Sequence, residues 1–198
     1  MLYTILRPVA WLIFKCLFFV SHKGKENLPS TGSYILASNH LSLIDPVFLG
    51  LGVSKRKVHY MAKAELFRNK FMAWFCRSLG AFPVKRGAMD VSAMKTAIDE
   101  LNKGHIVGIF PQGKRVRESK ISRYKSGFAL MASKSNCLVV PAYIKTKNQR
   151  ISIFRKVSVT FGKPMTLQDL GYSDGNTENL HLMAQRLMEE TERLADVV

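Results

Sequence analysis

Apolar and polar positions along this chain follow two periods, and the switch between them marks out the elements. The apolar run Tyr34-Ile35-Leu36-Ala37 is too short for a helix and has the length of a buried strand. Val58 to Met61, Ala81 to Val84, His105 to Phe110 and Leu138 to Ile144 read the same way, and Ile151 to Gly162 alternates well enough for one or two more strands. Stretches of helical period stand between them. Pro46 to Leu51 gives a short helix closed by Gly52, and Phe71 to Leu79 gives one with Gly80 past its end. Asp90 is placed to cap a helix with Val91, Met94, Ala97, Ile98 and Leu101 on one face. Gly127 to Ser133 is helical, and Thr177 is placed to cap a last helix that turns Leu180, Met183, Ala184, Leu187 and Leu194 inward. Strands separated by helices predict an α/β sandwich. In such sheets, sites collect at strand C-terminal ends.

The N-terminus has a different pattern. Met1 to Val20 is mostly Leu, Ile, Phe, Val and Trp, interrupted by Arg7, Pro8 and Lys15. A spanning helix needs about 20 apolar residues with few charges, and no small-residue cleavage site follows Val20. Arg7 and Lys15 lie close to two helical turns apart, roughly on one face with Trp11 between them. This predicts a helix lying in one leaflet, with Lys23 and Lys25 on anionic headgroups. A buried first helix of a soluble domain and a true span stand as alternatives. Gly24 to Gly32, with Pro29, Ser30 and Thr31, reads as a hinge. The expected organisation is a membrane-associating helix over 1–23 and a single body over 24–198, a length that suits one core.

Composition narrows the class without choosing a partner. A hydrophobic content of 47% excludes disorder. The balance of 30 Lys+Arg against 14 Asp+Glu, net +16, attracts polyanions: nucleic acid, an anionic membrane or phosphorylated substrates. Cys16, Cys76 and Cys137 are far apart with no ligand spacing, so no zinc site, other metal or disulfide is expected, and the thiols read as buried and free. His22, His59, His105 and His181 show no partner pattern. Lys55-Arg56-Lys57 and the run from Arg115 to Lys125 read as solvated faces that could also touch a membrane or an acidic carrier protein.

Three strand-end loops carry complementary chemistry. After Tyr34 to Ala37 comes Ser38-Asn39-His40-Leu41-Ser42-Leu43-Ile44-Asp45-Pro46, an H-x-x-x-x-D spacing in which the carboxylate reaches one ring nitrogen, fixes the tautomer and leaves the other nitrogen as a base. The second and third loops offer Lys85-Arg86 beside Gly87 and Lys114-Arg115 beside Gly113. Arginine beside glycine suits phosphate, because the guanidinium binds it as a fork and glycine lets backbone N–H groups approach. With an apolar anchor, this suggests a hydroxyl on a lipid phosphate. No G-x-S-x-G elbow supports a serine acyl-enzyme.

These residues meet a family. Asn39-His40-x-x-x-x-Asp45-Pro46 resembles the first block of the glycerolipid acyltransferases, most closely the bacterial lysophosphatidate (1-acylglycerol-3-phosphate) acyltransferases. Lys63-Ala64-Glu65-Leu66-Phe67 with Gly80 to Gly87 is similar to their second block, Phe110-Pro111-Gln112-Gly113-Lys114-Arg115 to the third and Val140-Pro141-Ala142-Tyr143 to the fourth. The resemblance implies a central mixed β-sheet flanked by helices, with no cofactor. It implies His40 as general base for the sn-2 hydroxyl and Asp45 as its orienter. Lys63, Arg86 and Arg115 would hold the acceptor phosphate in a pocket shaped by Gly113. The donor would be a thioester of acyl carrier protein or coenzyme A, the acceptor a lysophospholipid, and the place the cytoplasmic face of the cell membrane, peripheral or monotopic. The third block of the family usually reads Phe-Pro-Glu-Gly-Thr-Arg-Ser, whereas this chain has Gln112, Lys114 and Val116. Gln112 keeps an acceptor oxygen and loses the charge, so the acceptor stays open: lysophosphatidate, glycerol 3-phosphate or another lysolipid. A nucleic-acid-binding module is favoured by charge alone and is not expected.

Overall fold

The computed structural model describes residues 2–53, 56–85, 90–115 and 124–196, with side chains from Leu6 onward at the N-terminus. Their strands are β1 (Phe19–Lys23), β2 (Tyr34–Ser38), β3 (Val58–Lys63), β4 (Ala81–Val84), β5 (Ile106–Ile109), β6 (Leu138–Thr146) and β7 (Lys156–Phe161). They form one sheet in the order β1-β7-β6-β2-β5-β3-β4. Every neighbouring pair is parallel except β6 and β7. Strands β2 to β6 therefore run one way and β1 and β7 the other, which makes the sheet mixed.

The helices are α1 (Leu2–Leu17), α2 (Asp45–Gly52), α3 (Lys70–Ser78), α4 (Val91–Asn102), α5 (Gly127–Ser135) and α6 (Thr177–Arg193). Strand β2 is buried along its whole length, as a parallel strand covered on both faces must be. Its Ile35 and Ala37 join Ala97, Leu101, Phe128, Met131, Met183 and Leu187 from α4, α5 and α6. Its Tyr34 and Leu36 join Phe48 and Leu49 of α2 and, through Phe14 and Phe18, the end of α1. The sandwich predicted from the strand–helix alternation is therefore present, with a core on each face of the sheet. Asp90 caps α4 by accepting from Ala93 N, as its position predicts. The last helix is capped by Asn176, whose side chain accepts from Asn179 N, because Thr177 is already helical.

The N-terminal helix is shorter than the apolar run. Helix α1 stops at Leu17, and Phe19–Lys23 is an edge strand parallel to β7. The rings of Phe14 and Phe18 meet Phe48 edge-on at 5.4 and 5.3 Å. Arg7 Nη2 donates to Val53 O at 2.8 Å, so this cation faces the body, whereas Lys15 lies over the exposed Trp11 ring. Val9, Leu12 and Ile13 are also exposed, and no helix among the described residues is long and apolar enough to cross a membrane. The expected hinge is fastened down: Asn27 Nδ2 donates to Phe161 O at 2.9 Å. Arg56 is likewise no solvated cation, since its guanidinium donates to the carbonyls of Pro29, Gly32 and Gly104. Lys55 lies outside the described residues. Of the three thiols only Cys137 is buried, and burial pushes it up to about 11; Cys76 is half-buried and Cys16 exposed.

At the edge where β3 and β5 begin, one oxygen of Glu100 lies 2.9 Å from His59 Nδ1 and 2.8 Å from His105 Nδ1. Burial would raise this carboxyl, but hydrogen bonds from Lys103 and His105 and the charge of His59 hold it below the ordinary range. Burial drives His59 from 6.5 down to about 4, against the pull of Glu100. Between those values the unfolded chain binds a proton that the folded chain refuses, so this contribution to stability is full above pH 6.5 and is lost as pH falls toward 4. The melting temperature is expected to fall across that window and His59→Gln to flatten the fall. An equal fall in the variant would place the acid sensitivity elsewhere.

Candidate active site

The co-directional strands β2 to β6 end on one side of the sheet, and the residues singled out in the sequence follow those ends. Asn39 and His40 leave β2, Lys63 ends β3, Lys85 follows β4, and Phe110 to Arg115 follow β5. The H-x-x-x-x-D segment is a turn closed by its own carboxylate. Asp45, wholly buried at the start of α2, accepts at one oxygen from Leu41 N (2.6 Å), Ser42 N (2.8 Å) and His40 Nδ1 (2.7 Å). A helix N-terminus favours a carboxylate at this place. Because an ionised carboxylate only accepts, a neutral imidazole in this contact carries its proton on Nδ1 and its lone pair on Nε2.

Further contacts fix His40 from outside the turn. Phe110 stacks on the imidazole at 4.1 Å and 19°. Gln112, 5% exposed, accepts the His40 N–H at 2.7 Å through Oε1. Asn39 makes two hydrogen bonds to β6, accepting from Ile144 N at 2.7 Å and donating to Ile144 O at 3.0 Å. Behind Phe110 lies Tyr60, 6.2 Å away, whose ring crosses β5 at Gly108. A Cβ there would fall 2.1 Å from the ring, so only glycine lets this stack form.

The cations stand on the rim of the same edge. Gly113 turns with φ +68°, and the space beside its Cα is filled by Lys125, whose Nζ would lie 3.2 Å from a Cβ at that position. Lys114 and Arg115 are exposed. Lys63 is half exposed and pairs with Glu65 at 3.2 Å. Arg86 lies outside the described residues. The chain on either side of it is drawn together at Asp90, which accepts from Lys85 N at 2.7 Å as well as from Ala93 N. These backbone hydrogen bonds, Lys85 first, hold the Asp90 carboxyl below its usual range. Sequence reasoning gave no role to Asn39, Phe110 or Lys125. The first two stand inside the quoted motifs, and Lys125 was one member of a basic run. Among the described residues, the ligand atoms of His59, Glu100 and His105 converge within 4.8 Å, at the edge opposite His40 and away from this chemistry.

The geometry assembles an imidazole bonded to a buried carboxylate, with the exposed Lys114 and Arg115 on the neighbouring loop. Residues 19–145 match the family model described as Acyltransferase. The chain is 34% identical over 173 residues to the 1-acyl-sn-glycerol-3-phosphate acyltransferase of Bacillus subtilis, covering 86% of this chain and 85% of that protein. It is 30% identical to the enzyme of the same name in Streptococcus pneumoniae, over 98% of this chain and 73% of that one. In fold it is similar to the crystal structure of the 1-acyl-sn-glycerophosphate acyltransferase PlsC of Thermotoga maritima, with a TM-score of 0.76 and 24% identity over 98% of this chain and 79% of that one.

Proposed function

The chain belongs to the acyltransferase family, and from that premise we propose that it transfers a fatty acyl group from a thioester to the sn-2 hydroxyl of lysophosphatidate, giving phosphatidate. The observation that carries the reading is the His40–Asp45 pair, which leaves Nε2 as the proton acceptor. His40 takes the hydroxyl proton as the substrate oxygen attacks the thioester carbonyl. The tetrahedral intermediate then expels the thiolate, which leaves with the proton held by His40, and the protein forms no covalent bond. Asp45 orients the ring and offsets its positive charge. Lys63, Arg86 and Arg115 hold the acceptor phosphate, with Gly113 turning the chain at the rim and Lys125 packed beside it.

Gln112 serves this site through the backbone of His40, since its oxygen is engaged there. A neutral amide at this position leaves Asp45 as the carboxylate bonded to the imidazole. Acyl carrier protein or coenzyme A supplies the donor. The exposed apolar side of α1 lies in one leaflet at the cytoplasmic face, with the excess of basic residues drawn to anionic lipid rather than to nucleic acid.

The test supplies purified protein with lysophosphatidate or glycerol 3-phosphate against both thioesters. Phosphatidate from lysophosphatidate is expected, and product from glycerol 3-phosphate alone would replace the acceptor. Arg115→Ala is expected to raise the KM for the phosphorylated acceptor about tenfold or more, the worth of one charge-assisted hydrogen bond, with the thioester KM unchanged. An unmoved acceptor KM removes Arg115 from the phosphate site.

A further inference from the structure

The loop joining β6 to β7 concentrates backbone strain in a way that packing does not explain. Asn148, Gln149 and Phe154 have φ of +57°, +50° and +57°, and among the described non-glycine residues only Asn136, at the end of α5, shares that region. Asparagine enters it readily, whereas a phenylalanine is strained there. Phe154 nevertheless stands 65% exposed, beside Ile153 at 58%. Its N–H donates to Leu17 O at 2.6 Å, which fastens the loop to the end of α1. Leu17 and Phe19 are exposed at that junction, so two apolar prongs meet there.

Charge and position point the same way. Lys147, Arg150, Arg155 and Lys156 are all exposed, and no acidic residue occurs between 145 and 156. Apolar tips ringed by cations match an anionic bilayer surface, with headgroups outside and acyl chains beneath. The loop also leaves β6 two residues after Ile144, which is bonded twice to Asn39, the neighbour of His40.

We propose that the β6–β7 loop is a second bilayer-docking element, with Ile153 and Phe154 entering the acyl region, the loop cations holding anionic headgroups, and His40 thereby set at the lipid surface. This rests on the reading above that the acceptor is a lipid. Strain at Phe154 is kept because the exposed ring finds its partner only in the bilayer.

The test compares the full chain with Ile153→Ser/Phe154→Ser and with Phe154→Gly, by sedimentation with phosphatidylcholine vesicles with and without phosphatidylglycerol. The double variant is expected to lose about tenfold or more in partitioning to the anionic vesicles. It should keep its turnover on a short-chain lysophosphatidate below its aggregation concentration and lose turnover on vesicle-embedded acceptor. Phe154→Gly should bind vesicles less well with an unchanged or higher melting temperature. Unchanged vesicle binding by the double variant overturns the proposal. So does a lower melting temperature in Phe154→Gly, which would make the ring a packing residue, or a changed sedimentation coefficient of the vesicle-free double variant, which would make the loop a contact between copies. Wild-type protein that docks through the loop yet leaves the short-chain acceptor unreacted overturns the acceptor and supports the docking.

Discussion

Replacing His40 by alanine is expected to lower kcat by about 10²- to 10⁴-fold, the usual worth of a positioned proton acceptor, while the chain still folds. On the transition-state scale that is about 3–5 kcal/mol. The turn survives because its other bonds do not pass through the imidazole: Asp45 still accepts from Leu41 N and Ser42 N, and Asn39 still grips Ile144. Removing the ring bares one face of Phe110, which keeps Tyr60 on its other side, a modest loss beside the expected one in kcat. Steady-state kinetics with far-ultraviolet circular dichroism separate the two. A variant with native spectrum and near wild-type kcat would show that another group takes the proton.

Asp45 gives the second large effect, and two substitutions divide its work. Alanine removes the acceptor of three donors at once and leaves Leu41 N and Ser42 N unpaired beside a buried site. At about 1–3 kcal/mol for each orphaned group, the chain is expected to lose on the order of 2–5 kcal/mol of stability together with its activity. Asparagine can return an oxygen to the same place and recover most of that stability. It brings no charge to offset the imidazolium, so kcat is expected to stay about 10- to 100-fold down, the range of one charge-assisted bond. Urea denaturation beside kcat reads both. An asparagine variant with full kcat would reduce Asp45 to a structural acceptor, and an alanine variant of wild-type stability would show that the three bonds do not hold the turn.

Elements whose cause is local were legible in the residues. Strands β2 to β6 announce themselves as short apolar runs between turn signals, and Asp90 lies three residues from the N–H it caps. His40 and Asp45 are five apart, so their bond needs only one turn. What escaped depends on partners far along the chain. Phe19 and Val20 continue the apolar run of the helix, and Phe19–Lys23 becomes a strand because β7 offers it an edge, with Ser21 meeting Ser158 across 137 residues. Arg56 looks like one cation in a basic run until three carbonyls converge on it. The Glu100 cluster unites two strand starts and a helix end that nothing in the spacing relates. Gln112 shows the same limit inside the site. The residue stood out as a departure from the family pattern, but its bond to His40 N spans 72 residues and belongs to the sheet order.

The two long ties on the His40 turn also set when that turn can be held in place. His40 is held to Gln112 across 72 residues, and its neighbour Asn39 to Ile144 across 105. A growing chain makes the Asp45 turn early, yet it cannot complete the pair of ties until Ile144 has been added, well after Gln112. Contacts this distant in sequence form late, after the loops between them have closed. A chain that stops short of Ile144 therefore carries the His40–Asp45 turn without the bonds that tie it to β6, and on the proposed mechanism thioesters meet a positioned base only once β6 is in place.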